Sequence, residues 1–186
     1  MTRIDVIANE RLIDDRQQLH EIQDYWAKGP LALIFLRQFG SAFAVSQARA
    51  FNRHYDEIRD LGADLVFVGL GNSMEGYVFR ERTATRYPVL TTHDRALHRT
   101  MGLWRDAREP LRPTNLVPLL RVMATERVYP YGRTGDNAQL GGAFVATRGG
   151  QRVVYSHRAA RIHQTAPVDE VLRALTEAST VRVESR

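Results

Sequence analysis

Residues 31–44 read LALIFLRQFGSAFA. Gly29-Pro30 breaks the chain just before them. The run 31–37 stays apolar until Arg37, the pattern of a strand buried on both faces, and Gly40 closes it. The period then changes. From Phe43 to Leu61, Ala44, Ala48, Phe51, Tyr55 and Ile58 recur at steps of four and three, one apolar stripe of a helix. Gly62 follows as a C-cap. A buried strand running straight into a helix is the first half of a βαβ unit.

The same alternation continues downstream. DLVFVGL (64–70) is a second buried strand, and Gly71-Asn72-Ser73 turns into a helix with Ser73 as the expected N-cap. Pro88-Val89-Leu90 reads as a short strand and 94–102 as a short helix ended by Gly102. GGAFVATRGGQRVVYSH (141–157) is a hairpin, its two β-rich runs flanking Arg148-Gly149-Gly150. Pro167 opens a last helix, with Asp169 and Glu170 where the helix dipole favours acid and Val168, Val171, Leu172 and Leu175 facing the core. Upstream, residues 8–27 read as a helix, with Leu12, Leu19, Ile22 and Trp26 at roughly helical spacing, making 1–29 a helical extension. Residues 103–138 hold prolines at 110, 113, 118 and 130 around a helical piece near 115–127. They read as an irregular insertion or lid, too short and broken to own a core. The expected architecture is a single α/β domain over 1–186, with a mixed central sheet and helices on both faces.

Composition narrows the function. The 186 residues are 44% apolar and 25% charged, as in an ordinary globular protein. The net charge of +5 is carried almost wholly by arginine, since Lys28 is the single lysine. The arginines are spread along the chain without a basic block or an interleaved aromatic ladder, so no nucleic-acid partner is expected; an anionic small molecule stays open. No apolar run approaches the ~20 residues that span a bilayer. The opening MTRIDVIANERLIDD is no secretory signal, and a soluble, cytoplasmic protein is the expectation. There is no cysteine, hence no disulfide and no thiolate metal site.

The segment FLRQFGSAFAVSQ (35–47) resembles the peroxiredoxin-like branch of the alkyl hydroperoxide reductase/thiol-specific antioxidant (AhpC/TSA) superfamily. More narrowly it is similar to the peroxiredoxin-like 2 group, which includes the prostamide/prostaglandin F synthase type and typically reads FLRxFGCPFCRxQ here. The resemblance runs on through 61–79, 87–103, 135–158 and 167–175. It implies a thioredoxin-like, peroxiredoxin-like fold with a Cys-x-x-Cys at the start of the first helix. In this chain Ser41 and Ala44 stand at those positions, and Val45 stands where the family tends to have a basic residue. A serine hydroxyl cannot cycle through sulfenic acid and an alanine cannot resolve a disulfide, so thiol redox activity is excluded by chemistry. Serine and alanine together, with drifted neighbours, read as natural loss.

Several residues could carry other chemistry. Ser41 could be a nucleophile at a helix N-terminus, given a base within reach; otherwise it is an inert N-cap. His93 and His98, near the C-terminal side of the sheet, are candidate acid/base groups, with surface or packing roles as the alternative. The resemblance places Gly141-Gly142 in the loop facing the cysteine helix. The expected pocket floor is therefore Phe39, Gly40, Ser41, Gly141 and Gly142. Tyr129, Tyr131, Arg133, Asp136 and Asn137 are the expected polar lining. The six histidines lack zinc-site spacing, and Gly69-x-Gly71 lacks the rest of a dinucleotide fingerprint, so neither metal nor cofactor is expected. Two readings remain. One is recruitment of the old pocket for non-redox acid/base chemistry (isomerisation, cyclisation, dehydration or hydrolysis) on a small organic molecule. The other is a pseudoenzyme that binds a ligand or partner. A homodimer is compatible with the sequence.

Overall fold

The structure, a computed structural model, describes residues 4–132 and 136–181. In chain order the strands and helices are β1 (Arg11–Asp14), β2 (Leu19–Glu21), α1 (Gln23–Trp26), β3 (Leu31–Leu36), α2 (Ala42–Asn52), α3 (Tyr55–Asp60), β4 (Asp64–Leu70), α4 (Ser73–Thr83), β5 (Val89–Thr92), α5 (Ala96–Thr100), α6 (Leu116–Glu126), β6 (Gly142–Ala146), β7 (Val153–Arg158) and α7 (Val168–Thr180). The strands form one sheet in the order β2-β1-β5-β4-β3-β6-β7. β3, β4 and β5 are mutually parallel, while β6 and β7 on one side and β1 and β2 on the other run antiparallel. This is the expected mixed sheet.

β3 lies inside it, between β4 and β6, and all six of its residues are apolar and buried. Alternation splits them between the two faces. Ala32, Ile34 and Leu36 pack with α2, α4 and α7, and Leu31, Leu33 and Phe35 pack with α1 and α5. The β6–β7 hairpin turns where expected, with Gly149 and Gly150 at φ 71° and 66°. No helix among the described residues is long and apolar enough to cross a membrane.

Four local expectations change. In place of the helix expected over 8–27 stands a short β-hairpin, β1–β2, followed by the single turn α1. The Asp14 carboxylate accepts from the N–H groups of Arg16 and Gln18, both at 2.8 Å, and Gln17 sits at φ 64°. That local side-chain bonding makes a tight turn out of Asp14-Asp15-Arg16 and defeats the helical spacing of the leucines. Leu12 is buried, but Leu19 is 65% exposed on the edge strand. The long helix 43–61 breaks after Asn52, whose side chain donates to the carbonyls of Thr83 and Ala84 at the end of α4. α4 is capped by Asn72 rather than Ser73: Asn72 accepts from the Glu75 N–H at 3.0 Å, and Glu75 accepts from the Asn72 N–H at 2.8 Å. Pro167 is the N-cap of α7, one place earlier than expected.

The 103–138 stretch is less irregular than its prolines suggest. Its helix α6 lies along α2, and Leu119, Val122 and Tyr131 pack against the core on that face. It is a brace on α2 and does not close over a cavity at Ser41.

Candidate functional site

The expected single pocket resolves into three separate places. Ser41 is the N-cap of α2, with extended backbone (φ −75°, ψ 132°), and it is 5% exposed. Its cavity, shared with Gly141, Gly142, Arg37, Phe43 and Gln164, has a free volume of about 20 Å³. That is room for about one water. No histidine or carboxylate among the described residues lines it. Ser41 therefore has no base, and its side chain does not cap the helix. The glycines leave no open floor: a Cβ at Gly141 would meet the Phe35 carbonyl, and one at Gly142 would meet Leu103 and the His157 carbonyl.

Phe39 and Gly40 are internal. The Phe39 ring is 0% exposed, lies against Gly69 and meets the Phe79 ring at a tilt, 5.3 Å between centroids. Gly40 is held by backbone: the Tyr131 N–H donates to its carbonyl at 2.9 Å, and a Cβ there would collide with the Tyr131 carbonyl oxygen. Tyr129 and Tyr131 thus lie on the outer side of α2, lining a different cavity with Val45 and Arg49. Arg133 lies outside the described residues.

The third place is an open crevice of about 370 Å³ at the C-terminal ends of β4 and β5, lined by Asn72, Glu75, His93, Arg95 and Asp136. Here two of the expected residues, His93 and Asp136, do meet. Asp136 pairs with Arg105 Nε at 2.7 Å and Arg95 Nε at 3.6 Å. Burial raises its pKa, but the Arg105 hydrogen bond, the Ala138 N–H and the two guanidinium charges outweigh burial and hold it below the usual carboxylate range. Arg95 also donates to Gln139 Oε1 at 3.0 Å, which ties the crevice wall to the fully buried Gln139.

His98 belongs to none of these places. It is 0% exposed on the opposite face of the sheet, edge-on to Phe35 at 5.2 Å, and neither ring nitrogen has a well-formed hydrogen bond. Burial pushes its pKa down to about 4, and the nearby backbone of Leu36 opposes this only in part. A neutral imidazole sealed in that core cannot exchange a proton with a ligand.

A family model described as AhpC/TSA antioxidant enzyme matches residues 50–161, more than half of the chain. The chain belongs to the AhpC/TSA family. The matched stretch begins beyond Ser41 and Ala44, so in this AhpC/TSA protein the family is carried by the scaffold. A prostamide/prostaglandin F synthase of Salmo salar is 22% identical over 170 residues, which cover 89% of this chain and 84% of the relative. Solved structures of similar shape include the bacterioferritin comigratory protein of Xanthomonas campestris (TM-score 0.68, 16% identity, 95% and 96% of the two chains). Peroxidoxin BcpB of Mycobacterium tuberculosis is another (TM-score 0.64, 14% identity, 93% of each). At such identities the likeness concerns the fold alone.

What closes the Ser41 cavity of this AhpC/TSA protein is the strap 162–166 after β7, which sequence reasoning passed over. The strap is held by Glu109 and Asn115 from the 103–138 stretch. The Glu109 carboxylate, 1% exposed, pairs with Arg112 Nε at 2.6 Å and Arg161 Nη1 at 2.8 Å and accepts from the Ile162 N–H at 3.2 Å. Asn115 Oδ1 bonds His163 Nδ1 at 2.9 Å. One acid followed by two prolines, REPLRP at 108–113, was the available signal, but its partner Arg161 lies more than fifty residues away.

Burial raises the Glu109 pKa, while the bonds from Arg161 and Ile162 and the charges of Arg161 and Arg112 lower it further, to a net value below normal. A depressed folded pKa means that its contribution to stability is complete above the unfolded value and is lost as pH falls through the folded one. Glu109→Gln is expected to cost about 2 kcal/mol at pH 7. That is less than the ~3–5 kcal/mol of a fully buried pair, because both arginines keep about 40% of their side chains in water. Urea unfolding should show the loss, and amide exchange should speed up at 159–166 before elsewhere. Unchanged exchange there would remove Glu109 from this role.

Proposed function

We propose that this protein works without thiol chemistry as a small-molecule-binding member of its family, with the crevice between His93 and Asp136 as its ligand site. One contrast carries the reading. The space at Ser41 is nearly filled and lacks any acid or base, whereas the neighbouring crevice is open, charged and about 370 Å³ in volume. That volume falls within the ~300–1,000 Å³ of small-ligand sites. In open α/β sheets ligands gather outside the carboxyl ends of the strands, where β4 and β5 end here. Arg95 and His93 would donate to a ligand, and Glu75 would accept. The salmon relative is named for the synthesis of a small organic molecule, which supports a ligand of that size class.

The acid/base alternative is weaker. It would rest on His93 and Glu75, since Ser41 has no base, His98 is sealed away and the lowered pKa of Asp136 makes it a weak base.

Two measurements test the reading. Hydrogen peroxide with dithiothreitol should be consumed no faster than with boiled protein. A screen of small organic acids and amides by amide chemical shifts should give changes at 70–75 and 93–96. His93→Ala should abolish those changes and Ser41→Ala should leave them intact. Peroxide turnover, or shifts centred on 41–44 and 164–166, would overturn the proposal.

A further inference from the structure

On the outer side of α2, among the described residues, three guanidinium groups line one cavity without a paired carboxylate. Arg49 of α2, Arg82 in the last turn of α4 and Arg127 just past α6 line a cavity of about 120 Å³ together with Tyr129 and Tyr131. Among the described residues none of the three arginines pairs with a carboxylate. Eight other arginines, Arg11, Arg59, Arg80, Arg86, Arg95, Arg105, Arg112 and Arg161, each do. The adjacent Glu126 carboxylate accepts from the Ser46 hydroxyl at 2.8 Å and pairs with none of the three.

The cluster is built rather than incidental. Arg49 is fixed by donating to the carbonyls of Arg82 at 3.3 Å and Glu126 at 3.4 Å, at the C-terminal ends of α4 and α6. These two bonds leave most of its five donors unused. Arg82 lies over the Tyr131 ring at 4.2 Å. The Tyr131 hydroxyl is shielded from water and from the cavity. Three like charges lining one cavity repel one another unless an anion joins them. One acceptor-only group with several oxygens would balance all three.

We propose that this cavity is a site for a phosphate group, either free phosphate or the phosphate end of a small organic ester. Guanidinium forks match tetrahedral oxyanions bidentately, and the space suits a single such group. Tyr129, 61% exposed at the rim, offers an aromatic face to an organic substituent. The proposal is independent of the crevice and of any ligand bound there.

The test is calorimetric titration of the full chain with sodium phosphate, in a phosphate-free buffer at constant ionic strength, with chloride as control. Saturable binding of one phosphate per chain is expected. Arg127→Gln and Arg49→Gln should each weaken it about tenfold, the usual scale for a charge-assisted hydrogen bond. Tyr131→Phe, which keeps the ring under Arg82 and removes only a hydroxyl shielded from the cavity, and Arg53→Gln, at an exposed arginine outside the cavity, should not change it. Circular dichroism of each variant separates lost binding from lost fold. Phenyl phosphate identifies the source. Tighter binding than phosphate that Tyr129→Ala removes points to an organic ester; equal binding points to the free ion. Heats that do not saturate, or affinities that folded Arg127→Gln and Arg49→Gln proteins retain within twofold, overturn the site.

Discussion

Replacing Phe39 with alanine is expected to cost about 4 kcal/mol, a drop of roughly 10 °C in melting temperature for a chain of this size. The ring is wholly buried between Gly69 of β4 and Phe79 of α4, and Phe79 in turn meets Phe67 at 6.0 Å. Gly69 has no Cβ, so Phe39 alone fills the space beneath the end of β4. Once it is removed, no neighbouring side chain can collapse into the void. Phe39→Leu should cost only about 1 kcal/mol, since most of the volume stays filled. Thermal and urea unfolding of both variants measure this. A loss below about 1 kcal/mol for the alanine variant would mean that the ring is not a core element, and the original expectation of a pocket-floor residue would return.

The second large effect concerns pH. His98 has a folded pKa near 4, well below the ordinary value of 6.5. Between these values the unfolded chain binds a proton that the folded chain refuses. Stability from this group is therefore complete above about pH 6.5 and falls as the pH drops towards 4. At about 1.4 kcal/mol per pH unit the loss comes to about 3 kcal/mol. Carboxylates titrate in the same range, so the informative quantity is the difference between wild type and His98→Phe. The variant keeps the ring contact with Phe35 and removes two poorly bonded nitrogens. At pH 7 it should be as stable as wild type or about 1 kcal/mol more so, and between pH 7 and 4 it should lose about 3 kcal/mol less. Parallel pH profiles would show that the imidazole is solvated, and the buried neutral histidine would have to be abandoned.

Much of the fold was legible in the chain because its decisive signals are local. LALIFLR and DLVFVGL are too continuously apolar to be anything but central strands, and the stripe through Ala44, Ala48 and Phe51 can only be a buried helix face. The hairpin at 148–150 follows from glycine's access to positive φ. The same locality misled at 8–27, where leucine spacing mimics a helix. There the Asp14 side chain, bonding backbone two and four residues ahead, makes a turn that hydrophobic periodicity cannot register.

The candidate site was legible only in what it lacks. The absence of cysteine is a property of composition, and it settles the thiol question without coordinates. Which of the remaining polar groups share a space depends on contacts between distant segments. The Gly40 carbonyl holds Tyr131, so the tyrosines go to the outer side of α2 and away from Ser41. Glu109 reaches Arg161 and draws the 162–166 strap over Ser41. His93 and His98, five positions apart, part company across the edge of the sheet. His93 stays in the loop at the end of β5 and faces the crevice, whereas His98, on α5, turns into the core with Leu97 and Met101. Strands and helices follow from the near neighbours that every stretch carries with it. A pocket follows from long-range packing, and only the closed sheet and the helices laid against it decide which side chains meet.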